Sequence, residues 1–174
     1  NTTNIAQTTI FTITATAGSC TSSTTVTVTV SPTPTINATN SNQTICSGTA
    51  ISNIVVSNPN AVAGTIFSWV RTNTANVTGI AASGTGSPIT GTLTNTTNTA
   101  QTTIFTITAT AGSCTSSTTV TVTVNPTPTI NATNSNQTIC SGTAISNIVV
   151  TNPNAVAGTT FSWARTNTAN VTGM

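Results

Sequence analysis

The chain repeats itself: residues 1–80 recur as residues 95–174, a period of 94 residues. Six of those eighty positions differ, at Ile5/Thr99, Ser31/Asn125, Ser57/Thr151, Ile66/Thr160, Val70/Ala164 and Ile80/Met174. Self-similarity at this spacing is the signature of like modules in a string, where each unit leans on its neighbours. The punctuation is proline-rich: Ser31-Pro32-Thr33-Pro34 and Asn125-Pro126-Thr127-Pro128. Proline restricts itself and the residue before it, so these stretches read as short, stiff linkers. The predicted organisation is the closing part of one repeat (residues 1–30), a complete repeat (31–124) and the opening part of the next (125–174).

Within the complete repeat, apolar residues alternate with hydroxyls. Phe105, Ile107, Ala109 and Ala111 interleave with Thr106, Thr108 and Thr110. After a turn, Val120, Val122 and Val124 interleave with Thr119, Thr121 and Thr123. A period of two is the mark of a half-buried strand, with one face toward a core and the other toward water. Residues 50–56 and 65–71 read as the second and third strands, separated by Asn58-Pro59-Asn60. Residues 76–80 and 89–94 read as shorter strands, and no helical period occurs. The expected fold is all-β, a two-sheet sandwich with Phe67, Trp69, Phe105, Ile107, Val120 and Val122 in its core.

Composition decides which functions are closed to such a chain. Asp, Glu, His, Lys and Tyr are absent, and Arg71 and Arg165 carry the only side-chain charges fixed at neutral pH. General acid–base catalysis needs a group titrating near neutrality, and hydroxyl nucleophiles need a base to activate them. Carboxylate-bound calcium is excluded by the same inventory. A net charge of +2 provides no basic footprint for nucleic acid and no polybasic attraction to a membrane. No catalytic, metal-binding or cofactor-binding residue is therefore assigned. No apolar run approaches the ~20 residues of a membrane span. The first residue is not Met, so the chain reads as a mature or internal portion of something longer. A surface this poor in charge lacks the usual protection against association, so either sugars or neighbouring chains should cover it, outside the cytosol.

The two flanking parts carry a further expectation. Residues 1–30 supply a closing hairpin and 127–174 supply early strands, and each exposes an apolar face. If Met174 of one copy lies near Asn1 of the next, the halves complete a module lacking the counterpart of residues 81–94. The expectation is a head-to-tail filament, either continuous polypeptide or strand-complemented subunits, the alternative being that the two ends are arbitrary cuts in the repeat.

The segments Thr-Ile-Cys-Ser-Gly (44–48), Phe-Thr-Ile-Thr-Ala-Thr-Ala-Gly-Ser-Cys (105–114) and Thr-Val-Thr-Val-Asn-Pro-Thr-Pro (121–128) resemble the PKD-like, immunoglobulin-like repeats of very large bacterial surface and gliding-associated proteins. The acidic, glycine-rich turn of true PKD domains is missing, which places the resemblance in the looser PKD-like group. It implies an immunoglobulin-like sandwich in tandem array, secretion, and an adhesive or structural role rather than catalysis.

Two cysteines fall in each period, at 20 and 46 and again at 114 and 140. A Cys46–Cys114 disulfide is expected, as the resemblance also implies, with Cys20 and Cys140 pairing to adjacent units. It would be worth roughly 4 kcal/mol in the chain-entropy model. A structural zinc site is disfavoured, because Cys-x-x-Cys spacing and histidine are missing. Trp69 and Trp163 read as core residues beside the disulfide, with a sugar-stacking platform as the alternative. Arg71 and Arg165 end the same strand and should meet solvent or cap carbonyls.

Asn-x-Ser/Thr acceptor sequences occur at Asn1, Asn37, Asn42, Asn76, Asn95, Asn131, Asn136 and Asn170. With 67 Ser and Thr among 174 residues and 21 Asn, about eight arise by composition alone, so the bare surface argues for glycans more than the motifs do. The Thr-x-Thr ladders at 25–29 and 119–123 read as solvent faces of ordinary strands; an ice-binding face would need many such strands aligned. The expected function is a structural repeat unit of an extracellular bacterial filament or giant surface adhesin. It would assemble head to tail with copies of itself and carry covalent glycans. The alternative is a carbohydrate-binding or spacer module of a secreted enzyme.

Overall fold

The structure, a computed structural model, describes residues 1–173; Met174, invoked above at the join, lies outside them. It is all-β. A long hairpin comes first, β1 (Gln7–Ala17) and β2 (Cys20–Val30). The complete module follows with β3 (Asn37–Ala38), β4 (Asn42–Cys46), β5 (Thr49–Ala50), β6 (Val56–Ser57) and β7 (Ile66–Arg71). It continues through β8 (Val77–Thr78), β9 (Ser83–Thr85), β10 (Thr92–Asn95), β11 (Gln101–Ala111) and β12 (Cys114–Asn125). Two short strands, β13 (Asn131–Ala132) and β14 (Val150–Thr151), complete the described chain.

One layer of the module is the sheet β4-β12-β11-β7-β9, antiparallel except where β4 runs parallel to β12. The other layer is β5-β10-β8, extended by the pair β3-β6 and by a bridge between Ile54 and Ile89. The alternating residues of β11 and β12 turn their apolar sides inward, so Phe105, Ile107, Val120, Val122 and Val124 are fully buried. They pack against Ile51, Ile54, Val56, Val77, Ile89 and Leu93 from the opposite layer. Each such side chain contributes ~1.5–3 kcal/mol by leaving water. Trp69 meets Phe105 with ring centroids 5.7 Å apart at 57°. A Cβ at Gly84 on the neighbouring β9 would run into the indole, so glycine is what lets the edge strand close over it. Phe67 is only half-buried at the margin of the core.

Two strand expectations need correction. Residues 50–56 form no continuous strand. The Gln43 side chain bonds both the Ser52 N–H (2.7 Å) and its carbonyl (3.0 Å), while Asn40 Nδ2 donates to the Asn53 carbonyl (2.7 Å). These side-chain bonds replace the ladder there, leaving only β5, β6 and the bridge between them. Conversely β4 is a strand the alternation did not announce, recruited by parallel pairing with β12.

The flanking parts repeat the local structure without the packing. The β1–β2 hairpin has the register of β11–β12, from Gln7↔Val30 to Ala17↔Cys20. Yet every one of its residues is exposed. Phe11 is 55% exposed where its counterpart Phe105 is 0%. Residues 127–173 keep the side-chain bonds of the opening turns, Gln137 to Ser146 matching Gln43 to Ser52. They do not form the counterpart of β7, because the hairpin that would pair with it is absent there.

This difference is testable within one polypeptide. Phe105→Ala should lower the unfolding free energy of the complete module by ~3–5 kcal/mol, the cost of a large cavity. Phe11→Ala should leave it within ~0.5 kcal/mol, as surface changes do. Urea unfolding followed by the fluorescence of buried Trp69 measures both.

Candidate functional site

The chemistry-bearing features are two uncovered apolar faces, the junction at residues 31–34, four cysteines and two arginines. On the hairpin, Phe11, Ile13, Val26, Val28 and Val30 occupy the positions of Phe105, Ile107, Val120, Val122 and Val124, and all stand open. At the other end Ile145, Ile148, Val150, Phe161, Trp163 and Val171 hold the positions of Ile51, Ile54, Val56, Phe67, Trp69 and Val77. They are open too: Trp163 is 81% exposed where Trp69 is 9%. The two faces are the two sides of the core that is closed inside the complete module.

At the junction, the hairpin's leading loop lies on the complete module. Asn4 Nδ2 donates to the Ala61 carbonyl at 3.5 Å, and Ile5 and Ala6 line a crevice with Val62, Ala63 and Ala111. Ser116 Oγ donates to the Pro34 carbonyl at 2.6 Å, fixing the β12 end of the module to the linker. Cys114 Sγ sits 3.9 Å from the Ser31 carbonyl oxygen. At the opposite end of the module the Ser47 N–H donates to the Asn125 carbonyl at 2.8 Å, and Thr127 Oγ1 donates to the Ser47 carbonyl at 3.2 Å.

The expected Cys46–Cys114 disulfide is not made. Parallel pairing sets Cys46 beside Asn125, whereas Cys114 begins β12 eleven residues earlier. At ~3.3 Å per residue the two lie ~36 Å apart along the strand, against the ~4.4–6.8 Å between Cα atoms that a bridge needs. All four cysteines carry free thiols: Cys20, Cys46 and Cys140 are exposed and Cys114 is partly covered. Trp69 therefore packs on Phe105 and Gly84, not on a disulfide, and its burial leaves no stacking platform for sugar in the complete module.

Among the acceptor asparagines, Asn1, Asn37, Asn42, Asn76, Asn131, Asn136 and Asn170 are exposed. Asn95 is buried and must be removed from the glycan candidates. Its Nδ2 donates to the carbonyls of Thr99 (2.7 Å) and Val124 (2.8 Å), while its Oδ1 accepts from Thr97 N–H and Oγ1, both 2.8 Å. It is a clamp closing the loop before β11 onto the end of β12. The same clamp recurs in the open at Asn1, whose Nδ2 donates to Ile5 and Val30 carbonyls at 2.8 and 2.7 Å.

Arg71 caps carbonyls, but from inside the sandwich rather than from solvent. Its Nε donates to Ile80 and Ala81 carbonyls at 3.0 Å each, Nη1 to Val77 at 2.8 Å and Nη2 to Ile80 at 2.5 Å. Burial pushes its guanidinium below the ordinary value, and with no carboxylate side chain in the protein only carbonyl dipoles offset the lost hydration. Among the described residues Arg165 keeps the counterpart of the Val77 bond, Nη1 to the Val171 carbonyl at 2.7 Å, half-exposed. The sequence held the signal: Arg71 follows Trp69 by two on one strand, so both share the inward face.

Residues 43–128 match the family model of the PKD-like domain, which takes in most of the closed sandwich and supports a PKD-like, immunoglobulin-like domain here. No curated protein matches the chain. Among the described residues, no helix is long and apolar enough to cross a membrane.

Removing the guanidinium should strand the carbonyls of Val77, Ile80 and Ala81. Arg71→Met is expected to cost ~2–4 kcal/mol, since buried acceptors left unpaired cost ~1–3 kcal/mol apiece with partial relaxation. Arg165→Met should cost under ~0.5 kcal/mol. Thermal melting of the two variants side by side makes the comparison.

Proposed function

We propose that this protein is a structural, adhesin-type array of PKD-like modules outside the cell, in which each module is closed before the next begins. One observation carries the reading. The same twenty-four-residue hairpin sequence, 7–30 and 101–124, buries its apolar face where residues 33–95 lie against it and is fully open where nothing does. The occupant that fits the open faces is another copy of this repeat, because the complete module already contains that fit residue for residue.

The geometry also favours one of the two ways of supplying that copy. A module assembled from residues 127–174 of one chain and 1–30 of another would lack the counterpart of residues 81–94. Inside the complete module that stretch contains β9, most of β10, and the buried Ile89 and Leu93. Losing two such side chains costs ~2–5 kcal/mol each, enough to unmake a small sandwich whose total stability is ~5–15 kcal/mol. Continuous polypeptide, with the missing fourteen residues in place, is therefore the favoured form of the array. The absence of any activating base fits a role that is mechanical rather than catalytic. The seven exposed acceptor asparagines and the hydroxyl faces of the strands are where covalent glycans would cover a surface nearly free of charge.

Appending the sequence of residues 81–94 after position 174 should convert the protein into one that adds end to end. The lengthened chain is expected to grow in light scattering with concentration, and Trp163 should lose its access to acrylamide quenching. The 174-residue chain should do neither at the same concentration. A lengthened chain that stays monomeric at hundreds of micromolar, with Trp163 still quenched, would sink the reading.

A further inference from the structure

We propose that successive modules are joined by a disulfide across each junction, from the cysteine at position 46 of one module to the cysteine at position 114 of the following one. The inference rests on the tandem-array reading but not on association between separate chains.

Two contacts at equivalent points carry it. Ser31 and Asn125 are the same position one period apart, each the last residue before its Pro-Thr-Pro linker. At Asn125 the backbone carbonyl accepts from the N–H of Ser47, the residue bonded to Cys46, at 2.8 Å. At Ser31 the same carbonyl is approached at 3.9 Å by the sulfur of Cys114 from the module that follows. One junction shows the Cys46 side of the contact and the other shows the Cys114 side. Superposed on one junction, a single carbonyl has both neighbours. Contacts of 2.8 and 3.9 Å to one oxygen hold the Cys114 sulfur within about 7 Å of the amide next to Cys46, which brings the two cysteines to the same point of the junction.

The exposure pattern fits this pairing. Cys46 is open at the end of the complete module, where the next hairpin tip would arrive, and Cys114 is partly covered where the preceding linker already lies. No two of the four cysteines stand in the proposed relation within residues 1–174, since the partner of Cys46 lies 162 residues onward, one period beyond Cys114. All four thiols are accordingly free.

The chemistry is ordinary thiol–disulfide exchange with a donor disulfide, such as oxidised glutathione or a disulfide-carrying oxidoreductase. One cysteine thiolate attacks the donor disulfide, forming a mixed disulfide and releasing one donor thiolate. The second cysteine thiolate attacks the protein sulfur of that mixed disulfide and expels the other donor thiolate. The protein pair loses two protons and two electrons, and the donor disulfide gains them. Exposed thiols permit it, and an oxidising compartment preserves it.

The test uses the whole chain with one further copy of residues 33–126 inserted after Pro126, so that two complete modules adjoin. After equilibration with a glutathione redox buffer, free thiols are alkylated and peptides are mapped by mass spectrometry. The expected result is a single internal disulfide joining Cys46 to the inserted copy of Cys114, with Cys20 and Cys140 alkylated. Cys46→Ser should abolish it and leave the inserted cysteine alkylated. Cys46 that is alkylated in the folded chain, or is linked instead to Cys114 or Cys140, overturns the proposal. Acrylamide quenching of the inserted tryptophan separates the two readings. A buried tryptophan with no disulfide removes the staple alone, and a quenched one removes the array and the staple together.

Discussion

The fold depends on covering the inward side of one long hairpin. β11 and β12 form their ladder by local rules, alternation and a two-residue Gly-Ser turn, and the identical β1–β2 ladder forms with nothing beside it. What the ladder cannot do is hide Phe105, Ile107 and three valines, because a two-stranded ribbon has no second layer. The second layer, and the strands that flank the hairpin in its own sheet, come from residues 33–95, and their features follow from contact with the hairpin. β7 exists where β11 is there to pair with it and vanishes in residues 160–165, where no hairpin is present. Arg71 reaches three carbonyls from a buried position, while Arg165, half-exposed, reaches the Val171 carbonyl, the counterpart of Val77, among the described residues. Secondary structure here is partly a consequence of tertiary contact, and the repeat displays both states in one chain.

The hairpin was legible because its signal is local: apolar and hydroxyl residues alternate over 105–111 and again over 119–124, on either side of a turn, which puts one apolar face on both strands. The two-sheet sandwich followed from it. Less legible were segments whose partners lie far along the chain. β4 reads as Asn-Gln-Thr-Ile-Cys, with a single large apolar residue, and becomes a strand because β12 offers a free edge for parallel pairing. Residues 50–56 have the apolar content of a strand but lose their ladder to Gln43 and Asn40, whose side-chain amides satisfy the backbone first. Of the six differences between the copies, those at 5, 31, 57, 66 and 70 are exposed in the structure, while the sixth, Ile80, lies in the core and has another large apolar residue, Met174, as its counterpart.

The cysteines illustrate how spacing misleads when direction is unknown. Two cysteines per module, one before the early strands and one at the last turn, suggest a clasp within the sandwich if both lie at the same end. The parallel β4 reverses that geometry, carrying Cys46 to the end where β12 finishes and leaving Cys114 where it starts. A repeating unit with one thiol at each pole is poorly arranged to close on itself and well arranged to meet the unit before and the unit after.

The lack of charge then determines how such a string can hold together. With two arginines and no carboxylate side chain, no junction can be tied by a salt bridge, so what remains is apolar cover, amide and hydroxyl hydrogen bonds, and covalent links. The contacts seen at residues 31–34 are of the first two kinds: Asn4 to the Ala61 carbonyl, Ser116 to the Pro34 carbonyl, and Ile5 against Val62 and Ala63. Such bonds are individually worth about 1 kcal/mol net, and water competes for each of them at an exposed joint. Prolines stiffen the linker by limiting where it can go, yet they add no attraction between modules. Apolar cover is stronger, but nearly all of it lies inside each sandwich, since the complete module leaves Phe105 and its neighbours no exposed surface, and the joint has only the small crevice at Ile5. A load along the string would therefore be borne at the joints by a few exposed hydrogen bonds, one small apolar contact and the backbone, unless the thiols at the two poles supply the missing connection.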